Sequence, residues 1–136
     1  MEVSAVALDT SAYSHLRRGD ERVFDALARA KTIVLPAVVV GELHVGFQLG
    51  TRALENLNVL QEFIAEFQVT VLSVNSQVAR RYGELFAKLR HAGTPIPTND
   101  IWIAATVIES SAQLLTFDSD FRAIEELRAT VLKPKG

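Results

Sequence analysis

The sequence predicts an α/β protein, a three-layer α/β/α sandwich on a mostly parallel sheet of four to five strands. Three observations predict it. Short aliphatic runs, among them Val3–Leu8, Thr32–Leu35 and Gln113–Phe117, are continuous rather than alternating, as strands covered on both faces require. The segments between them carry apolar residues at helical spacing and are long enough for the crossovers that parallel neighbours need. No linker or repeat interrupts the 136 residues, so one domain over 1–136 with one core is expected.

Taken in order, Val3–Leu8 reads as the first strand and Asp9-Thr10-Ser11 as the polar entrance to a helix. Gly19 or Asp20 opens a second helical stretch, with Val23, Phe24, Leu27 and Ala28 spaced toward a core. Thr32–Leu35 is a short strand that Pro36 ends, and Ala37–Leu49 then reads as helix, stopped by Gly50. A further helix runs from about Thr51 to Phe67 and turns Leu54, Leu57, Leu60, Ile64 and Phe67 inward. Val69–Leu72 is the third strand. Asn75 or Ser76 caps a long amphipathic helix reaching about His91. Its stripe is Val78, Tyr82, Leu85, Phe86 and Leu89, and Arg80, Arg81, Glu84, Lys88 and Arg90 fill much of the rest. Gly93–Pro97 is the strongest loop signal. Pro97 and Thr98 start a helix whose run Ile101–Ile108 is apolar on most sides. Gln113–Phe117 is the fourth strand, Phe121–Arg128 a short helix, and Thr130–Leu132 a fifth strand.

Composition narrows the function classes. A hydrophobic share of 49% against 22% charged excludes a disordered chain. The absence of cysteine removes disulfides, thiolate metal sites and cysteine nucleophiles together. Met1–Leu8 is apolar but short, lacks a basic leader and is interrupted by Asp9, so no signal peptide is read. No apolar run approaches the roughly 20 residues of a membrane span, and a soluble, cytoplasmic protein is expected. The formal net charge of -2 is slightly unfavourable for a nucleic-acid partner. Two bound divalent ions would reverse its sign, so it decides nothing.

The acids are the informative residues. Asp9 follows the first strand and Asp118 the fourth, at the edge where a parallel sheet presents ligands. Glu42 lies about a turn and a half into the helix after the second strand, flanked by Gly41 and Gly46, small neighbours that would permit close approach of another element. Asp100 enters from the first turn of an apolar helix. Each has a plain local role available: Asp9 and Asp118 as helix caps, Glu42 as a surface residue, Asp100 as complement to a helix dipole. Four acids from four elements at one edge are harder to explain locally. Two unit charges about 4 Å apart repel by roughly 4 kcal/mol at an effective dielectric near 20. Such a cluster needs protons or cations, and an all-oxygen set selects Mg²⁺ or Mn²⁺ over Zn²⁺. The chemistry that follows is phosphodiester hydrolysis by metal-activated water.

The segments Leu8-Asp9-Thr10-Ser11, Gly41-Glu42-Leu43, Thr98-Asn99-Asp100-Ile101-Trp102-Ile103-Ala104-Ala105 and Leu114-Leu115-Thr116-Phe117-Asp118-Ser119-Asp120-Phe121 resemble those of PIN-domain proteins. The likeness is greatest to the VapC toxins of bacterial and archaeal toxin–antitoxin pairs, and runs from about Val6 to Leu132. It implies a PIN-like fold and a metal-dependent endoribonuclease, homodimeric, acting on RNA and silenced by a cognate antitoxin. By position it implies Asp9, Glu42, Asp100 and Asp118 as the catalytic and metal-holding acids. Thr10, Ser11 and Thr116 match the family's polar residues beside the first and last acids, and Asp120 is a second acid in the final motif.

On this reading Asp9, Asp100 and Asp118 hold one or two ions, and Glu42 orients or deprotonates the attacking water. Arg17, Arg18, Arg80, Arg81, Lys88 and Arg90 are candidates to grip phosphate, with a solvated helix face as the simpler role for each. His15, His44 and His91 fall outside the motifs and are read as surface or packing residues, Trp102 as packing. Phe47, Leu54, Leu57, Leu60 and Phe63 could serve the core, a dimer interface or an antitoxin groove. Two other classes compete. One is a non-catalytic RNA- or protein-binding module on the same fold. The other is a receiver-like phospho-acceptor, which would want an acid paired with Asp9 and a strand-end lysine, whereas Lys133 and Lys135 lie in the tail.

Overall fold

The computed structural model describes residues 3–135; Met1, Glu2 and Gly136, within the expected 1–136 domain, lie outside the described residues. The elements are β1 (Val3–Leu8), α1 (Thr10–Arg17), α2 (Glu21–Arg29), β2 (Ala30–Pro36), α3 (Ala37–Leu49) and α4 (Ala53–Glu66). There follow β3 (Thr70–Leu72), α5 (Ser76–Ala92), α6 (Thr98–Glu109), β4 (Gln113–Thr116), a 3₁₀ turn (Ser119–Ala123) and β5 (Ala129–Val131).

All strand pairs are parallel, in the order β3-β2-β1-β4-β5. The central strand β1 is therefore the origin of two runs. The chain first moves through β2 to β3 on one side, then returns through α5 and α6 to β4 and β5 on the other. Connections leaving β1 and β4 part in opposite directions, which opens a crevice at their carboxyl ends. The register Leu8↔Leu115 places Asp9 and Thr116 side by side at that crevice.

Burial explains why this arrangement holds. Leu8, Leu35 and Leu114 of the sheet are fully covered, as are Val23 of α2, Leu60 of α4, Leu85 of α5, and Ile103 and Val107 of α6. Polar caps open several helices where the sequence placed them: Asp9 accepts from Ala12 N, Asp20 from Arg22 N and Asn75 from Val78 N. Gly93, at φ 73°, closes α5 in the left-handed conformation.

The structure corrects several expectations. Phe121–Arg128 is not an α-helix. Phe121, Ile124 and Leu127 are its buried residues, a spacing of three, and the chain follows with Ile124 N bonded to Phe121 O and Leu127 N to Ile124 O. That is the 3₁₀ period, and it suits a segment too short to propagate a helix. The strand β2 starts at Ala30, directly from the end of α2, because Ala30 pairs with the start of β1. Phe24, Ala28 and Leu54 face outward rather than into the core. Helix α2 docks through Val23 and Leu27, which leaves Phe24 to meet Phe67, the residue that caps α4, edge-on at 6.5 Å. A Cβ at Gly41 or Gly46 would meet open space, so no element approaches them closely.

Leu60 and Leu54 lie on one helix, at 1% and 72% exposure. Leu60→Ala is expected to lower the unfolding free energy by about 2–5 kcal/mol and Leu54→Ala by less than about 0.5. Urea denaturation at fixed protein concentration checks both values.

Candidate active site

Asp9 is a buried carboxylate, and burying a charge is costly unless donors surround it. Three do. Its Oδ1 accepts from Ala12 N at 2.8 Å and from Ser11 Oγ at 2.7 Å, and its Oδ2 from Thr116 Oγ1 at 2.5 Å. Burial pushes the Asp9 pKa up; the bonds from Thr116, Ala12 and Ser11 oppose the rise, and the Asp118 charge adds to it. The capping role and the site role are thus one geometry, since the cap is what aims Asp9 into the crevice.

The two hydroxyls carry the web across the sheet. Thr116 Oγ1 accepts from Asp118 N at 3.0 Å, and Ser11 Oγ from Phe117 N at 3.0 Å. Each hydroxyl has one proton, already directed to Asp9. The 3.4 Å approach of Ser11 Oγ to Thr116 Oγ1 therefore follows from their shared acceptor. Thr10 turns the other way, donating to Glu42 Oε1 at 2.6 Å, and Asn99 Nδ2 donates to Glu42 Oε2 at 3.3 Å. Glu42 so joins α1, α3 and α6, a tie that neither hydrophobic spacing nor charge pattern announced.

Asp100, Asp118 and Asp120 form the tightest group: one carboxylate oxygen from each lies within 4.8 Å of the others. Asp118 Oδ1 also caps the 3₁₀ turn by accepting from Asp120 N at 2.9 Å, which sets the exposed Asp120 beside it. Asp100 feels every acid at this edge. Its pKa is pushed up to about 7, first by burial and then by the charges of Asp118, Glu42, Asp9 and Asp120. Among the described residues no lysine or arginine forms an ion pair with any of these five. An all-carboxylate donor set without a basic counter-charge fits a hard divalent cation. The tight trio differs from the sequence-derived set: Asp120 belongs to it, while Asp9 and Glu42 stand behind.

The basic candidates divide. Arg80 pairs with Glu84, Arg81 with Glu109 at 2.9 Å, and Lys88 with Glu125 and Glu126. Arg17, Arg18 and Arg90 have no acidic partner among the described residues. Trp102 lies flat on Tyr82, with ring centroids 3.7 Å apart.

Residues 6–127 match the PIN domain. The chain belongs to the PIN-domain family. Ribonuclease VapC1 of Haemophilus influenzae is 31% identical over 109 residues, covering 79% of each chain. Ribonuclease VapC4 of Mycobacterium tuberculosis is 29% identical over 101 residues, 70% of this chain and 73% of that one. Among solved structures, VapBC-1 from nontypeable Haemophilus influenzae has a TM-score of 0.79 at 26% identity, over 93% of this chain and 97% of that one. VapBC2 from Rickettsia felis, bound to a promoter DNA fragment, has a TM-score of 0.82 at 22% identity, over 93% and 98%. The PIN fold sets aside a receiver-like assignment.

The raised Asp100 pKa carries a pH dependence of definite sign. Its folded value of about 7 exceeds the ordinary 3.8, so between these values the folded PIN domain binds more protons than the unfolded chain. Stability without divalent cations accordingly falls as pH rises through that window, and the loss is complete above it. Asp9 acts in the same sense. Thermal unfolding in EDTA between about pH 4 and pH 8 should show a declining midpoint. Asp100→Asn should flatten the decline and raise the midpoint at the alkaline end.

Proposed function

We propose that this PIN domain is a divalent-metal-dependent endoribonuclease, the toxin of a type II toxin–antitoxin pair, cytoplasmic, homodimeric and held inactive by its antitoxin. The observation that carries the reading is the convergence of Asp100, Asp118 and Asp120, backed by Asp9 and Glu42, with no lysine or arginine ion-paired to them among the described residues. Its relatives named as VapC ribonucleases support the RNA substrate, and the VapBC complexes among its structural neighbours support an antitoxin partner.

Asp9, Glu42, Asp100 and Asp118, joined by Asp120, would hold Mg²⁺ or Mn²⁺. When bound, such an ion polarises the scissile phosphate and lowers the pKa of an attacking water. The residues supply the rest. Asp100 and Asp118 present oxygens from α6 and from the end of β4, and Thr116 and Ser11 hold Asp9 in place behind them. Glu42, steadied by Thr10 and Asn99, orients the attacking water and accepts its proton as the bond to the leaving sugar oxygen breaks. Arg17, Arg18 and Arg90 are available to contact flanking phosphates, where each neutralised phosphate adds to salt-sensitive affinity.

Purified chain, freed of any partner, should cleave RNA with Mg²⁺ or Mn²⁺ and lose the activity in EDTA. Asp9→Asn and Asp100→Asn should each reduce cleavage by at least about 10²-fold, with the circular-dichroism spectrum of the fold retained. Undiminished cleavage in both variants, or cleavage that persists in EDTA, would overturn the mechanism.

A further inference from the structure

One aromatic contact beside the site belongs to none of the acids. The Phe117 ring, between Thr116 and Asp118 in sequence, stacks on the His15 imidazole of α1 with centroids 3.7 Å apart and planes 21° from parallel. The Arg22 guanidinium of α2 stands 5.5 Å from the centroid of the same ring, within cation–π range. Arg22 is itself tethered: Nε and Nη2 donate to Asp20 Oδ1 and Oδ2 at 3.2 and 2.8 Å. Those bonds pull the Asp20 carboxyl down to about 2, and Asp20 in turn caps α2. The ring is thus gripped by α1 and α2 together, while the Phe117 backbone N–H donates to Ser11 Oγ.

We propose that Phe117 is a positioning residue for the Asp118 carboxylate, with His15 and Arg22 as its clamp. Asp118 is otherwise held weakly. Among the described residues its side chain bonds only to the N–H of its near neighbour Asp120, and its own N–H bonds to Thr116 two residues back. Both partners lie within the same short segment. Thr116, bonded to Asp9, anchors the Asp118 backbone, but the Asp120 N–H moves with the carboxylate and does not resist its repulsion from Asp100. Phe117 forms the bend between the end of β4 and Asp118, which is itself extended at φ -97° and ψ 114°. Holding both the ring and the N–H of Phe117 therefore holds the backbone from which the Asp118 carboxylate projects. Thr116 is directed to Asp9, and Asp118 to Asp100 and Asp120. The clamp converts packing on α1 and α2 into a set spacing of metal-binding oxygens.

This assignment rests on the proposed metal centre, not on RNA cleavage, and its test reads the metal directly. Free Mn²⁺ is counted by electron paramagnetic resonance over the wild type, Phe117→Ala, Phe117→Leu, Phe117→Tyr and His15→Ala. Phe117→Ala and Phe117→Leu should weaken Mn²⁺ binding by about ten-fold or more, as loss of groups that orient metal ligands does. His15→Ala should fall between them and the wild type, and Phe117→Tyr should restore binding to within about three-fold. Circular dichroism is followed in parallel, and Phe117→Leu keeps the apolar bulk should Phe117→Ala unfold. Wild-type affinity in Phe117→Leu, or equal affinity in the Leu and Tyr variants, overturns the clamp while leaving the metal centre standing. A wild type that binds Mn²⁺ without cleaving RNA overturns the nuclease reading alone. No Mn²⁺ binding by the wild type removes both.

Discussion

The hydrogen bond from Thr116 to Asp9 spans 107 positions of sequence and joins the two halves of the molecule at the site. Asp9 belongs to the run from β1 through β3, and Thr116 to the part that returns to β4 and β5. Because β1 and β4 are neighbours in register, the bond costs no distortion of the sheet. Without it a buried carboxylate would lose one of three donors, and the chain carrying Asp118 would lose its nearest anchor.

Charge explains the remainder of the design. Five acids meet where the sheet ends, and Asp100 registers first its burial and then the charges of all the others as a pKa displaced to about 7. Repulsion between unit charges a few ångströms apart is of the order of the net stability of a small domain. The fold tolerates this by dividing the labour. Asp9 is satisfied by backbone and hydroxyl donors, and Glu42 by Thr10 and Asn99. The unsatisfied charge is left with Asp100, Asp118 and Asp120, where a cation would be bound.

Much of this was legible in the sequence. The continuous aliphatic runs marked parallel strands, and the acids directly after Leu8 and Phe117 marked the ligand edge, because both signals are local. Helix ends at Asp9, Asp20, Asn75 and Gly93 were equally local. What failed had a longer reach. Phe24 and Leu54 fit a helical stripe by spacing, but exposure depends on which neighbour covers that stripe. Gly41 and Gly46 suggested a close contact that the packing of α3 does not make. Phe121–Arg128 carried a helix-like composition, yet its buried residues recur every third position.

The sequence by itself determined the layered α/β architecture, the order of the elements and which acids stand at strand ends. Hydrophobic periodicity and cap chemistry act over a few residues, so they survive translation into a one-dimensional pattern. Only the tertiary structure decided that Asp120 joins Asp100 and Asp118, that Asn99 steadies Glu42, and that His15 and Arg22 enclose Phe117. Those relations are fixed by strand register and by the rotation of one helix against another. Both are set by the packed core as a whole, and no short stretch of chain encodes them.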